Sequence, residues 1–195
     1  MKRIYAIIFY SILCICAFAQ GWPTNYGGVI LQGFYWDSYT DTKWTNLESQ
    51  ADELSQYFNL IWVPQSGNCN TTGNVMGYMP VYYFDHNSSF GTQAELKSMI
   101  KTFKDKGLGT IADVVVNHRN NLGVNGLWVD YPSETYNGVT YQMLPTDIVA
   151  NDDGGATKSW ATPKSFSLSS NNDEGEDWSG CRDLDHKSAN VQTMT

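Results

Sequence analysis

The run Asp113-Val-Val-Val-Asn-His118 sets an amide and an imidazole side by side at the end of an apolar stretch that opens on a carboxylate. An amide oxygen at Asn117 can ligate a hard cation, and the His118 ring can donate to a substrate hydroxyl. If the apolar centre is a strand, both groups lie at its carboxyl edge, where barrel enzymes assemble their sites. The same residues also suit a strand that merely ends on polar side chains. Other chemistries find less support. The formal charge of −8 lacks the clustered Lys and Arg that a nucleic-acid partner requires. The histidines stand singly and the four cysteines are scattered, which disfavours a zinc cluster.

The elements that must position Asn117 and His118 follow a regular alternation. Val29 to Trp36 reads as a buried strand bounded by Gly27-Gly28 and Asp37. Thr45-Asn-Leu-Glu48 has the form of a capping box, and Leu47, Ala51, Leu54 and Phe58 follow on one helical face. Leu60 to Val63, stopped by Pro64, is a second strand. After a long polar loop, Gln65 to Gly91, the box recurs at Thr92-Gln-Ala-Glu95, with Leu96, Ile100 and Phe103 at helical spacing. Lys104 and Lys106 suit the negative helix end and Gly107 its C-cap. Thr110 to Val116 is the third strand. Continuous apolar strands alternating with amphipathic helices predict parallel βαβ units in an α/β fold with both sheet faces covered.

From Arg119 this rhythm stops, and the Gly-, Asn-, Asp- and Ser-rich remainder reads as an irregular, β-rich inserted subdomain rather than a connection. The pattern alone fits the start of a doubly wound sheet or of a (β/α)8 barrel, and no Gly-x-Gly-x-x-Gly cradle supports nucleotide binding. At the other end, Lys2 and Arg3, the apolar stretch Ile4 to Cys16 and Ala17-Phe-Ala19 form a secretory leader cleaved after Ala19. That predicts a secreted or periplasmic protein without stable membrane association after cleavage. Export permits a disulfide between Cys69 and Cys181, although the sequence does not show whether they meet.

Five segments in order carry a specific resemblance. Asp113 to His118 resembles the first signature region of the α-amylases in glycoside hydrolase family 13. Gln32-Gly-Phe-Tyr-Trp36 and Ile61-Trp-Val-Pro64 resemble their first and second strands. Gly77-Tyr-Met-Pro80 resembles a subsite loop of plant-type members, and Cys181-Arg-Asp-Leu-Asp-His186 the region before the fourth strand. The resemblance implies an incomplete (β/α)8 TIM barrel. Residues 1–19 are the leader, 20–118 the first three barrel strands, 119–182 the inserted domain with its calcium segment, and 183–195 the return to the barrel.

The resemblance also implies roles. Asn117, Asp177, the Gly180 carbonyl and Asp183 match ligands of a structural Ca2+, a cation that takes about six to eight oxygens. Read without it, the acids Asp173, Glu174, Glu176 and Asp177 are equally a solvated loop. His118 matches a histidine that binds the sugar at the cleavage subsite. Tyr78 matches an aromatic that stacks on the sugar, and Met79 borders the neighbouring subsite. Trp36 suits either a sugar platform or the core beneath one. Asp113 matches a supporting acid, not a catalytic one. The aspartate nucleophile and glutamate acid/base are expected beyond Thr195, so the chain by itself is expected to be inactive.

The implied activity is calcium-dependent endo-hydrolysis of α-1,4-glucosidic bonds in starch-like glucans with retention. A non-catalytic glucan-binding homologue and a transglycosylase or debranching enzyme are the alternatives. Arg182 stands where the family usually has proline, which leaves the backbone entering Asp183 open.

Overall fold

The computed structural model describes residues 26–70, 74–122, 131–172 and 181–195; the expected leader and the expected cleavage after Ala19 lie outside them. Among the described residues no helix is long and apolar enough to cross a membrane.

Three parallel strands, β1 (Ile30–Gln32), β2 (Leu60–Val63) and β3 (Gly109–Ala112), pair in chain order. Leu31 sits opposite Ile61, and Ile61 opposite Thr110. Between β1 and β2 run helices α1 (Trp44–Ser49) and α2 (Ala51–Leu54), and between β2 and β3 runs α3 (Gln93–Asp105). The βαβ alternation read from the sequence is therefore present.

The second capping box forms as expected. The Thr92 side chain accepts from the Glu95 N–H, and the Glu95 carboxylate accepts from the Thr92 N–H at 2.7 Å. These bonds satisfy two of the donors that a helix start leaves without intrahelical partners. Gly107, at φ +78°, takes the left-handed conformation that ends α3.

The first box does not form. Helix α1 starts at Trp44 after Lys43, with no side-chain cap. Glu48 instead accepts from Ser98 Oγ at 2.8 Å and Thr102 Oγ1 at 2.7 Å, both on α3. A contact between helices has taken the carboxylate that the local pattern assigned to its own helix start. The helix also breaks at Gln50, so the expected continuous element is two short ones. On α3, Met99 is fully buried and Ile100 is 40 % exposed, the reverse of the expected choice between neighbours.

One buried cluster joins Trp44, Leu47, Leu54, Ile61, Val63, Met99 and Phe103, which locks the helices onto one face of the sheet. The expected cover on both faces is not seen among the described residues. Ile30 on β1 keeps 46 % of its surface exposed, and Val114 and Val116, beyond the end of β3, keep 68 % and 44 %. A second cluster, of Tyr131, Met143, Ile148, Leu184, Val191 and Met194, lies in the later part of the chain.

That later part contains a hairpin, β5 (Glu134–Tyr136) with β6 (Val139–Tyr141), a short helix α4 (Ala156–Ala161), and several 3-10 turns. Two-residue strands β4 (His118–Arg119) and β7 (Arg182–Asp183) pair antiparallel, and α5 (Ala189–Met194) follows. The third strand is shorter than the sequence suggests. Its ladder with β2 ends at the Val63–Ala112 pair, next to Pro64, which has no N–H to donate. His118 consequently lies not on β3 but on β4, beyond an irregular step at 113–117.

Candidate functional site

Tyr78 is held from several sides. The preceding Gly77 adopts φ +99°, and its carbonyl accepts from Gln65 Nε2 at 2.7 Å. A Cβ at Gly77 would meet the Gln65 carbonyl oxygen at 2.9 Å. The His118 Nε2–H donates to the Tyr78 carbonyl at 2.8 Å. The Tyr78 hydroxyl donates to Asp113 Oδ2 at 3.4 Å, and its ring lies parallel to Trp36, with centroids 5.8 Å apart and planes 6° apart. Three segments separated in sequence thereby fix one aromatic ring. Replacing Gly77 by alanine should cost about 1–2 kcal/mol from the left-handed backbone. It should also displace Tyr78, so urea denaturation and Tyr78-dependent ligand binding should both register the change.

The electrostatics match this geometry. Burial raises the proton affinity of Asp113, against the opposing hydrogen bonds from Tyr78 and Trp62. The Tyr78 hydroxyl is also pushed above its ordinary value, first by burial and then by the Asp113 charge. Asp113 is thus a half-buried carboxylate tied by hydrogen bonds to two aromatic side chains. Trp36 is 70 % exposed, which settles its placement at the surface rather than in the core. Trp36, Tyr39, Met76, Tyr78 and Met79 border an apolar cleft of about 290 Å³. Flat rings over a half-open apolar cleft, with a few polar groups at its edge, suit a ligand that has both an apolar face and hydroxyls.

A second cluster lies beside it. Strand register places His118 opposite Asp183 and Arg119 opposite Arg182. Asn117 Nδ2 donates to Asp183 Oδ1 at 3.1 Å, although 66 residues separate them, and the Leu184 N–H donates to the Asn117 carbonyl at 2.9 Å. Asp152, fully buried, accepts from the Asp183 N–H at 3.3 Å and faces Arg182 at 3.5 Å. The structure thus brings Asn117 and Asp183 together. Asp177 and Gly180 lie outside the described residues. Among the described residues no three carboxylate, imidazole or thiol groups cluster as a metal site.

Sequence reasoning passed over the joint that holds these two regions together. Arg119 is buried at 1 % exposure. Its Nη2 donates to Glu134 Oε1 at 2.7 Å and to the Val81 carbonyl at 2.6 Å, and Nε donates to the same carbonyl at 2.8 Å. The guanidinium lies 4.8 Å from the Tyr83 ring centroid, and Glu134 accepts from the N–H groups of Tyr83 and Phe84. The available signal was an arginine directly after a site histidine, since a buried guanidinium requires a carboxylate partner. Nothing local in the sequence pointed to Glu134 as that partner.

No protein-family model matches the chain. It is 35 % identical over 104 residues to the chloroplastic α-amylase 3 of Arabidopsis thaliana, covering 51 % of this chain and 11 % of that protein. It is 26 % identical over 163 residues to a probable α-amylase 2 of the same plant, covering 81 % and 34 %. Among solved structures, α-amylase I of Eisenia fetida, in a variant complexed with maltohexaose, matches with a TM-score of 0.56. The identity is 21 %, over 86 % of this chain and 33 % of that one. The chain is similar to α-amylases in sequence and shares their fold over this region, as the signature segments implied. It spans about a third or less of the length of these relatives.

Proposed function

We propose that this chain is the N-terminal part of an exported, calcium-dependent α-amylase that cuts internal α-1,4-glucosidic bonds of starch-like glucans with retention. The observation that carries the reading is the placement of Tyr78. Its ring is stacked on exposed Trp36, its carbonyl is bound by His118 and its hydroxyl by Asp113, in a chain similar to α-amylases. On this reading the parallel strands begin a (β/α)8 barrel and residues 119–182 form its inserted domain. The exposed Ile30 on β1, with Val114 and Val116 exposed just beyond β3, suits a barrel interior that further strands would cover.

In this proposal the apolar face of a pyranose rests on Tyr78, Met79 lines the adjoining subsite, and Asp113 keeps the Tyr78 ring in place. His118 fixes the loop through the Tyr78 carbonyl, besides the sugar contact that the resemblance implies. The carboxylates that break the bond, about 5–5.5 Å apart in a retaining enzyme, would come from beyond Thr195. Asn117 and Asp183 fit a calcium site by chemistry, since they offer an amide oxygen and a carboxylate from two chain regions already in contact. Asp177 and the Gly180 carbonyl would add further oxygens. The ion would supply the electrostatic tie between β4 and β7. Asn117 turns its nitrogen toward Asp183, so binding would require the amide to present its oxygen instead.

The test uses the protein extended through the codons downstream of Thr195. It should release reducing ends from starch, with the α-anomer appearing first by NMR, and the chain ending at Thr195 should release none. An extended protein that binds calcium and glucan without hydrolysis would favour a non-catalytic homologue. Turnover by the shorter chain would overturn the assignment of the catalytic pair.

A further inference from the structure

We infer that Arg182 is a resident cation for the buried Asp152, and that this pair positions the proposed metal ligand Asp183 before any calcium binds. Asp152 opens the 3-10 turn Asp152–Gly155 and is fully buried. Its Oδ1 accepts from the Asp183 N–H at 3.3 Å. Its Oδ2 accepts from the Thr157 hydroxyl and lies 3.5 Å from Arg182 Nη1. An ionised carboxylate out of water is costly unless it is both paired and hydrogen-bonded. Arg182 supplies the cation, and Thr157 and the Asp183 N–H supply the donors.

The pair bears directly on Asp183. The Val149 N–H donates to the Asp183 carbonyl at 3.2 Å, so the segment from Val149 to Asp152 holds Asp183 by both its N–H and its C=O. Alternation along β7 turns the Arg182 side chain away from that of Asp183. The guanidinium therefore leaves the Asp183 carboxylate to Asn117. Strand register also sets Arg182 opposite Arg119. Like charges directly opposite destabilise a strand pair. Here each arginine has its own carboxylate, Glu134 for Arg119 and Asp152 for Arg182.

Two consequences follow from the charge. Without calcium, Arg182 keeps Asp152 neutralised and Asp183 docked against the inserted region. With calcium, the same guanidinium repels an ion held by Asn117 and Asp183, because like charges at short range in a partly buried setting interact strongly. Arg182 thus stabilises the empty site and weakens the filled one, which lowers the dependence of the fold on the ion. The second consequence rests on the calcium reading above; the hold of Arg182 on Asp152 does not.

The test is thermal melting of the full chain in EDTA and in calcium, with calcium affinity measured by titration calorimetry. Arg182→Gln removes the charge and keeps a donor. In EDTA it should melt several degrees below the unaltered chain, a smaller loss than at Arg119 because the Arg182 side chain is 30 % exposed. Arg182→Lys should restore most of the difference, and so should Asp152→Asn added to Arg182→Gln, since no unpaired buried charge then remains. Calcium should raise the melting temperature of Arg182→Gln more than that of the unaltered chain and bind it severalfold more tightly. A variant that had merely lost packing would bind calcium more weakly. Equal melting of Arg182→Gln and the unaltered chain in EDTA would overturn the inference. So would a calcium increment no larger in Arg182→Gln than in an unaltered chain that responds to calcium. If Arg182→Gln does not fold in EDTA, the double variant should fold; its failure as well would overturn the inference. A deficit in EDTA with no calcium response in any of these proteins would leave the Arg182 assignment standing and count against the proposed calcium site.

Discussion

Replacing Arg119 by alanine should destabilise the chain by about 3–5 kcal/mol, the loss typical when one partner of a buried ion pair is removed. Glu134 would keep its charge at 7 % side-chain exposure, with the Tyr83 and Phe84 N–H groups left as its hydrogen-bond donors among the described residues. The Val81 carbonyl would lose both of its guanidinium donors. Against a typical domain stability of about 5–15 kcal/mol, such a loss is a large fraction of the whole. Replacing both partners together, as Arg119→Met with Glu134→Gln, should recover much of it. No unpaired charge then remains, and the glutamine oxygen can still accept from the loop backbone. Urea denaturation of the two proteins decides the matter. Similar midpoints for Arg119→Ala and the unaltered chain would show that this joint does not hold the loop and the hairpin together.

The second large effect is expected at Asp183, replaced by alanine. In the native arrangement Asp183 meets Asn117 through its side chain, Asp152 through its N–H and Val149 through its carbonyl. Truncating the side chain removes the only carboxylate that the described residues offer to Asn117. On the proposed reading, calcium raises the melting temperature of the unaltered chain. Asp183→Ala should lose that increment and bind calcium at least tenfold more weakly, a difference of about 1.4 kcal/mol. Asn117→Ala should behave likewise. Differential scanning fluorimetry with and without calcium reads both, and an undiminished calcium increment in either variant would remove these residues from the metal site.

Much of the frame was legible because its signals are local or periodic. The strands at Ile30, Leu60 and Thr110 announce themselves as apolar runs between turn residues, and the Thr92–Glu95 box needs only four residues. What could not be read depends on contacts distant in sequence. The Thr45–Glu48 pattern is as good as the one at Thr92, yet Glu48 bonds Ser98 and Thr102, whose proximity no local pattern reveals. The choice of Met99 over Ile100 for the core follows from the facing set by packing against α1, which helical spacing leaves open within one residue. Likewise, the end of β3 at Ala112 is decided by Pro64, which follows the last residue of the neighbouring strand.

The candidate site divides along the same line. Its residue types were visible in the Asp113–His118 and Gly77–Pro80 segments, and the expected closeness of Asn117 and Asp183 is realised. The work of His118 was not visible. A histidine at a strand end offers a hydrogen bond, and only the fold shows that Nε2 spends it on the Tyr78 carbonyl. Trp36 was open between core and surface because an indole suits either, until the stack on Tyr78 placed it outside.

The most direct test of the central claim, that a glucan rests on Tyr78 beside Trp36, is a titration of the purified chain with maltoheptaose followed by tryptophan fluorescence. A saturable change is expected, because exposed Trp36 lies 5.8 Å from the ring that would carry the sugar. Tyr78→Ala should weaken binding about tenfold or more, the equivalent of about 1.4 kcal/mol. A fluorescence response that is absent, or the same in Tyr78→Ala as in the unaltered chain, would contradict the placement.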